Sequence, residues 1–203
     1  MTTDRKVPIV TRSAAHFALL WPGASVYEVG KLPVPHGRVT FRDGVIVRGD
    51  TAIVEVDVPP GVHDLLLISN DERQCHFGIA LSGRDPDRAE YVTRPDGRLA
   101  LIGMETLTVL IADAHAADAM IADPAFDSRG QWAWLGGRFD RREMAKVLEE
   151  PDGALTVGIA TGADTERYAV ILGYRGEDLV WVGAELINPW HPEDLAREPG
   201  LVS

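Results

Sequence analysis

The stretch TAIVEVDV, residues 51–58, constrains the fold more than any other: Ala52, Val54, Val56 and Val58 fall on one face while Glu55 and Asp57 fall on the other. A period of two is the mark of a β-strand with one wet side. The same grammar recurs along the chain. GRVTFRDGVIVRGD sets Asp43-Gly44 between two β-branched runs and predicts a tight hairpin there. A Pro59-Pro60-Gly61 turn leads into VHDLLLIS, and QCHFGIALSG alternates Phe77, Ile79 and Leu81 against His76, Gly78 and Ala80. AEYVTRPDGRLALIG reads as a hairpin around Pro95-Asp96-Gly97. TLTVLI, 106–111, is a buried strand, and ALTVGIATG, ERYAVILGY and DLVWVGAELI return to strands in the last third. AVIL is apolar on both faces, as in a central strand covered on each side.

Two segments read as helices. AHAADAMIAD is alanine-rich and stopped by Pro124. In FDRREMAKVLEEP, Asp140 and Glu143 have the spacing of a capping box and Phe139 and Met144 that of a hydrophobic staple. Met144, Val147 and Leu148 follow at helical spacing. About ten strands against two helices predict a mainly β (α+β) fold, an antiparallel β-sandwich with helical decoration. No repeat or linker divides residues 1–203, so one domain is expected, with 189–203 a tail lying on the surface or partly disordered.

Charge narrows the partners. With 31 acidic against 20 basic residues the formal charge is −11, which repels nucleic-acid phosphates and anionic lipid. Cys75 is the single cysteine, so no intrachain disulfide forms and the cytoplasm is the expected compartment. Arg5, Lys6 and Arg12 before AAHFALLWPGAS loosely imitate a signal peptide, but His16 interrupts a short apolar run. No segment has the length of apolar residues a membrane helix needs.

The chemistry-bearing stretch is IADAHAADAM, residues 111–120. An extended 111–115 puts Asp113 and His115 on one face, whereas a helical 115–118 puts His115 and Asp118 together. A strand that becomes a helix between them could converge all three on zinc or iron. The simpler reading makes Asp113 the N-cap of the alanine-rich helix, with His115 and Asp118 facing water. Cys75 and His76 are adjacent on a strand and point to opposite faces, so they cannot form a nucleophile–base pair. Nucleophile-elbow, phosphate-loop, zincin and paired Cys-x-x-Cys motifs are absent. Trp132 and Trp134, two apart before a Gly-Gly, are a ligand platform or core packing. Trp190 sits in the Pro-rich acidic tail as an anchor for a partner.

TVLIADAHAADAM resembles the Val-Asp-Ala-Gly-Thr-Gly-x-x-Met-Asp segment of a widespread uncharacterised bacterial family, domain of unknown function 4241. LPVPHGRVTFRD and VDVPPGVHDLLL look like that family's opening strands, and VGIATGADTERYAVILGYRGEDLVWVGAELI resembles its closing strand pair. The resemblance covers residues 32–187 and implies that Asp113, Asp164 and Tyr168 match family positions. His115-Ala116-Ala117 replace the family's Gly-Thr-Gly, and Ala163, Thr165 and Glu166 stand where its second motif has glycines. It implies a fold and carries no activity.

Three expectations follow. The preferred one is a non-enzymatic acidic protein, without a cofactor, that binds a basic protein partner as an immunity- or antitoxin-like inhibitor does. The second is a small-molecule or carbohydrate-binding sandwich using Trp132 and Trp134 with Asp113 and Asp164 near a sheet end. The third is a metal-dependent hydrolase held by Asp113, His115 and Asp118.

Overall fold

The computed structural model describes residues 24–43, 53–70, 74–103, 108–122, 145–149, 155–161 and 167–187. Among these the alternating patterns become twelve strands: β1 (Ala24–Val34), β2 (Arg38–Asp43), β3 (Val54–Asp57), β4 (Gly61–Asn70), β5 (Gln74–Ala80), β6 (Arg88–Tyr91), β7 (Leu101–Gly103), β8 (Thr108–Asp113), β9 (Ala145–Glu149), β10 (Thr156–Thr161), β11 (Arg167–Arg175) and β12 (Asp178–Ile187). One helix among the described residues, α1 (Ala114–Ala122), follows β8 without a break.

All pairings are antiparallel and form two sheets. The larger runs β1-β4-β5-β12-β11-β6, with β7 extending the β11 edge, and the smaller runs β3-β2-β8-β10-β9. Alternate residues of both sheets meet in one core: Leu65, Phe77 and Val182 from the larger, Phe41, Ile111 and Ala160 from the smaller. The molecule is therefore mainly β with sandwich packing, as the alternation requires. Each such fully buried Leu, Phe or Ile contributes about 1.5–3 kcal/mol relative to exposure. Gly158 of β10 faces this core, where an added Cβ would lie 2.5 Å from Leu65 Cδ2, so its missing side chain sets how closely the sheets approach. Among the described residues no helix is long and apolar enough to cross a membrane.

The outer faces differ. On the smaller sheet Leu110, Ala112, Leu148, Val157 and Ile159 pack with Ala117 of α1. On the larger, Val26, Leu66, Ile68, Ala80 and Trp181 form a separate buried cluster. Trp181 lies against glycines, since a Cβ on Gly183 would sit 2.6 Å from its ring.

One local expectation is overturned. The helix expected after Asp140 and Glu143 does not extend over Ala145–Glu149, which is strand β9 paired with β10; Phe139, Asp140, Glu143 and Met144 lie outside the described residues. Val147 and Leu148, read as one helical face, serve opposite faces of the strand: Val147 joins the inter-sheet core and Leu148 the outer cluster. A short apolar run satisfies both periods, and cross-strand pairing decides between them. The tight hairpin expected at Asp43-Gly44 falls on residues 44–52, which lie outside the described residues. Val39 to Phe41 are paired with β3 on one side and β8 on the other. The turn at Pro95-Asp96-Gly97 does form: Gly97 has a φ of +79° and donates to the Arg94 carbonyl at 2.9 Å.

Candidate functional site

The site lies where β8 becomes α1. Strand β1 reverses into β2 through Pro35, His36 and Gly37, and Gly37 takes a φ of +70° that favours glycine. Its amide donates to the Val34 carbonyl at 3.3 Å, and its carbonyl accepts from the Val58 amide at 2.9 Å. This reversal places His36 beside Asp113, the last residue of β8, whose neighbour in register is Val39.

Asp113 is 2% exposed and its carboxylate is fully engaged by donors. Oδ2 accepts the His36 backbone N–H at 3.0 Å. Oδ1 accepts the Ala116 N–H at 3.1 Å and lies 2.9 Å from His36 Nδ1. Ala116 is the third residue of α1, so Asp113 is the helix N-cap and also ties the β1–β2 reversal to the helix start. Burial pushes the Asp113 carboxyl up, but the backbone N–H groups of His36 and Ala116 and the His36 imidazole outweigh it and hold the pKa below the usual carboxylate value. A carboxylate only accepts, so His36 donates from Nδ1, which leaves Nε2 as the ring nitrogen not tied to Asp113.

His115, the second residue of α1, is exposed and sets its ring 4.3 Å from that of His36, centroid to centroid, at an interplanar angle of 42°. Asp118, one turn further, goes elsewhere. Its Oδ1 accepts from Arg42 Nη2 at 2.5 Å. Arg42 projects from the outer face of β2, is 3% exposed, and also donates from Nε to Thr40 Oγ1 at 2.8 Å and from Nη2 to Glu55 Oε1 at 3.5 Å. His115 and Asp118 are both exposed, as expected, and each also meets a different group of the β1–β2 region.

The trio Asp113, His115 and Asp118 is not gathered on one point: Asp113 holds the turn and the cap, His115 meets His36, and Asp118 meets Arg42. Among the described residues no group of three or more His, Cys, Asp or Glu side chains is placed to hold a metal ion. Tyr168, matched through the family resemblance, is 3% exposed within the inter-sheet core and offers no face to a ligand. Trp132, Trp134, Asp164 and Trp190 lie outside the described residues. His36 and Arg42 are the residues that sequence reasoning missed. The alternation in RVTFRD does put Thr40 and Arg42 on one face, but nothing local says that α1 covers it. For His36 no local signal reaches across the 77 positions to Asp113.

Fold and site together define an antiparallel β-sandwich whose described helix is pinned to a sheet end by a buried aspartate and an imidazole pair. Chemically the arrangement offers an imidazole oriented by a buried carboxylate beside a second imidazole. The chain matches no protein-family model, no curated protein and no solved structure.

Proposed function

We propose that the chain is a cytoplasmic, non-enzymatic protein that captures a basic protein partner, in the manner of an immunity protein or antitoxin. One observation carries the reading: the formal charge is −11, and five cations on the described surface are answered locally by carboxylates. Arg38 pairs with Asp57 and Arg84 with Asp178, both at 2.7 Å, Arg175 with Asp87 at 3.7 Å, Arg88 with Glu90 and Lys31 with Asp64. Neutralised cations leave the acidic excess to dominate the long-range field, which draws basic partners and repels nucleic acid and anionic membranes. Two of the most buried charged groups, Asp113 and Arg42, are spent on holding the helix, which supports a scaffold role for that region. Membership of the domain of unknown function 4241 family is likewise a proposal, carried by the resemblance over residues 32–187.

The test is identification of the bound protein by cross-linking in the native host, followed by titration of the purified pair at increasing salt. A basic partner whose affinity falls by at least tenfold between about 50 and 300 mM salt is expected from screening of surface charges. A partner of neutral or acidic charge, or an affinity indifferent to salt, would overturn the proposal.

A further inference from the structure

The geometry points to a metal-binding site made by His36 and His115, taking one borderline divalent cation such as Zn²⁺, Ni²⁺ or Cu²⁺, with water in the remaining positions. Three observations support it, and a fourth point removes an objection. First, the two rings already stand 4.3 Å apart and tilted by 42°, neither parallel-stacked nor splayed. Two imidazoles sharing one ion at about 2.0–2.1 Å per nitrogen have ring centroids roughly 4.5–5 Å apart. The exposed His115 side chain covers that difference by a small rotation.

Second, His36 is prepared as a ligand. Asp113 Oδ1, 2.9 Å from Nδ1, engages that nitrogen and leaves Nε2 as the one not tied to the aspartate. A carboxylate behind a ligating imidazole also raises its basicity and locks its orientation. Third, the ring is solvent-accessible: the His36 side chain is 51% exposed whereas Asp113 behind it is 3% exposed, so an ion reaches the nitrogens and not the carboxylate. Fourth, the positive end of α1 would oppose a cation beside its first turn, but the ionised Asp113 cap offsets that partial charge. Imidazole donors select zinc, nickel and copper over magnesium or calcium, which prefer oxygen. This pair differs from the Asp113, His115 and Asp118 set of the sequence reading: one imidazole comes from the β1–β2 reversal, and Asp113 orients it without ligating.

The experiment uses untagged full-length protein stripped with chelator, then titrated with Zn²⁺ against a colorimetric indicator and with Cu²⁺ by electron paramagnetic resonance. One ion per chain is expected, with nitrogen hyperfine structure from two imidazoles. His115→Gln changes only an exposed side chain and should keep the circular dichroism spectrum while weakening Zn²⁺ at least tenfold. His36→Gln should do the same, and Asp113→Asn should weaken Zn²⁺ about 10–100-fold, as removal of such an orienting group does. Zn²⁺ affinity unchanged in the folded His115→Gln protein, a Cu²⁺ spectrum with a single nitrogen, or no stoichiometric binding by the parent chain would each overturn the inference.

Discussion

The two sheets bury ionisable side chains on opposite terms. Around the smaller sheet, Arg42 and Asp113 are met by partners: two carboxylates and a hydroxyl for the arginine, three N–H groups for the aspartate. On the larger sheet His76 of β5 is 1% exposed, stands between Ile68 and Glu185 in register, and is kept neutral, with burial pushing its pKa down to about 4. The comparison teaches where the molecule spends polarity. At the smaller sheet charge fastens a helix and a turn to a strand end. In the larger one, close backbone packing around glycines leaves a titratable ring too little water to ionise.

The sharpest way to break this contrast is at Gly78, which faces Gly183 across β5 and β12. A Cβ there would lie 2.1 Å from the Val182 carbonyl oxygen and 2.4 Å from Gly183 Cα. Gly78→Ala should therefore cost about 3 kcal/mol or more in urea unfolding, at the upper end of overpacking effects. A loss under 1 kcal/mol would show that the strands part easily.

Acid separates the two regions next. The unfolded chain protonates His76 near 6.5, while the folded chain holds it neutral down to about 4. As pH falls through that window the unfolded state gains a proton the native state refuses, so stability drops by up to about 3 kcal/mol. His76→Leu should flatten the stability curve between those values. Asp113 acts in a lower window. Its folded pKa lies below the ordinary carboxylate value, so its contribution is complete above the unfolded pKa and is lost only as pH falls through the folded one. Asp113→Asn should remove that lower phase and leave the upper one in a pH series of thermal melts.

At neutral pH, Asp113→Ala removes the cap and two bonds to His36, for a loss of about 2 kcal/mol. Asp118→Asn is the smallest expected effect, under about 1 kcal/mol, because Asp118 is 64% exposed and Arg42 keeps Thr40 and Glu55. If Asp118→Asn costs more than Asp113→Ala in denaturant titrations, the Arg42 cluster and not the cap holds α1.

What the sequence made legible was local. TAIVEVDV, TLTVLI and DLVWVGAELI show their period directly, and the N-cap Asp113 is announced by the alanine-rich run that follows it. The misreading arose where two local signals compete and a distant partner decides. Ala145–Glu149 has helical spacing, yet Thr156–Ala160 pairs with it as a strand. His36 belongs to the same class: Pro35-His36-Gly37 reads as a turn, but that it closes on Asp113 is a property of the sandwich.

That closure bears on the order in which the chain assembles. A helix as short as Ala114–Ala122 is not stable in isolation. Its cap carboxylate is steadied by a residue 77 positions upstream, so the helix matures only after the entropic cost of that long loop has been met. Mutations confined to α1 should thus accelerate unfolding while leaving the refolding rate nearly untouched, which makes this helix a late arrival and the natural place for the fold to begin coming apart.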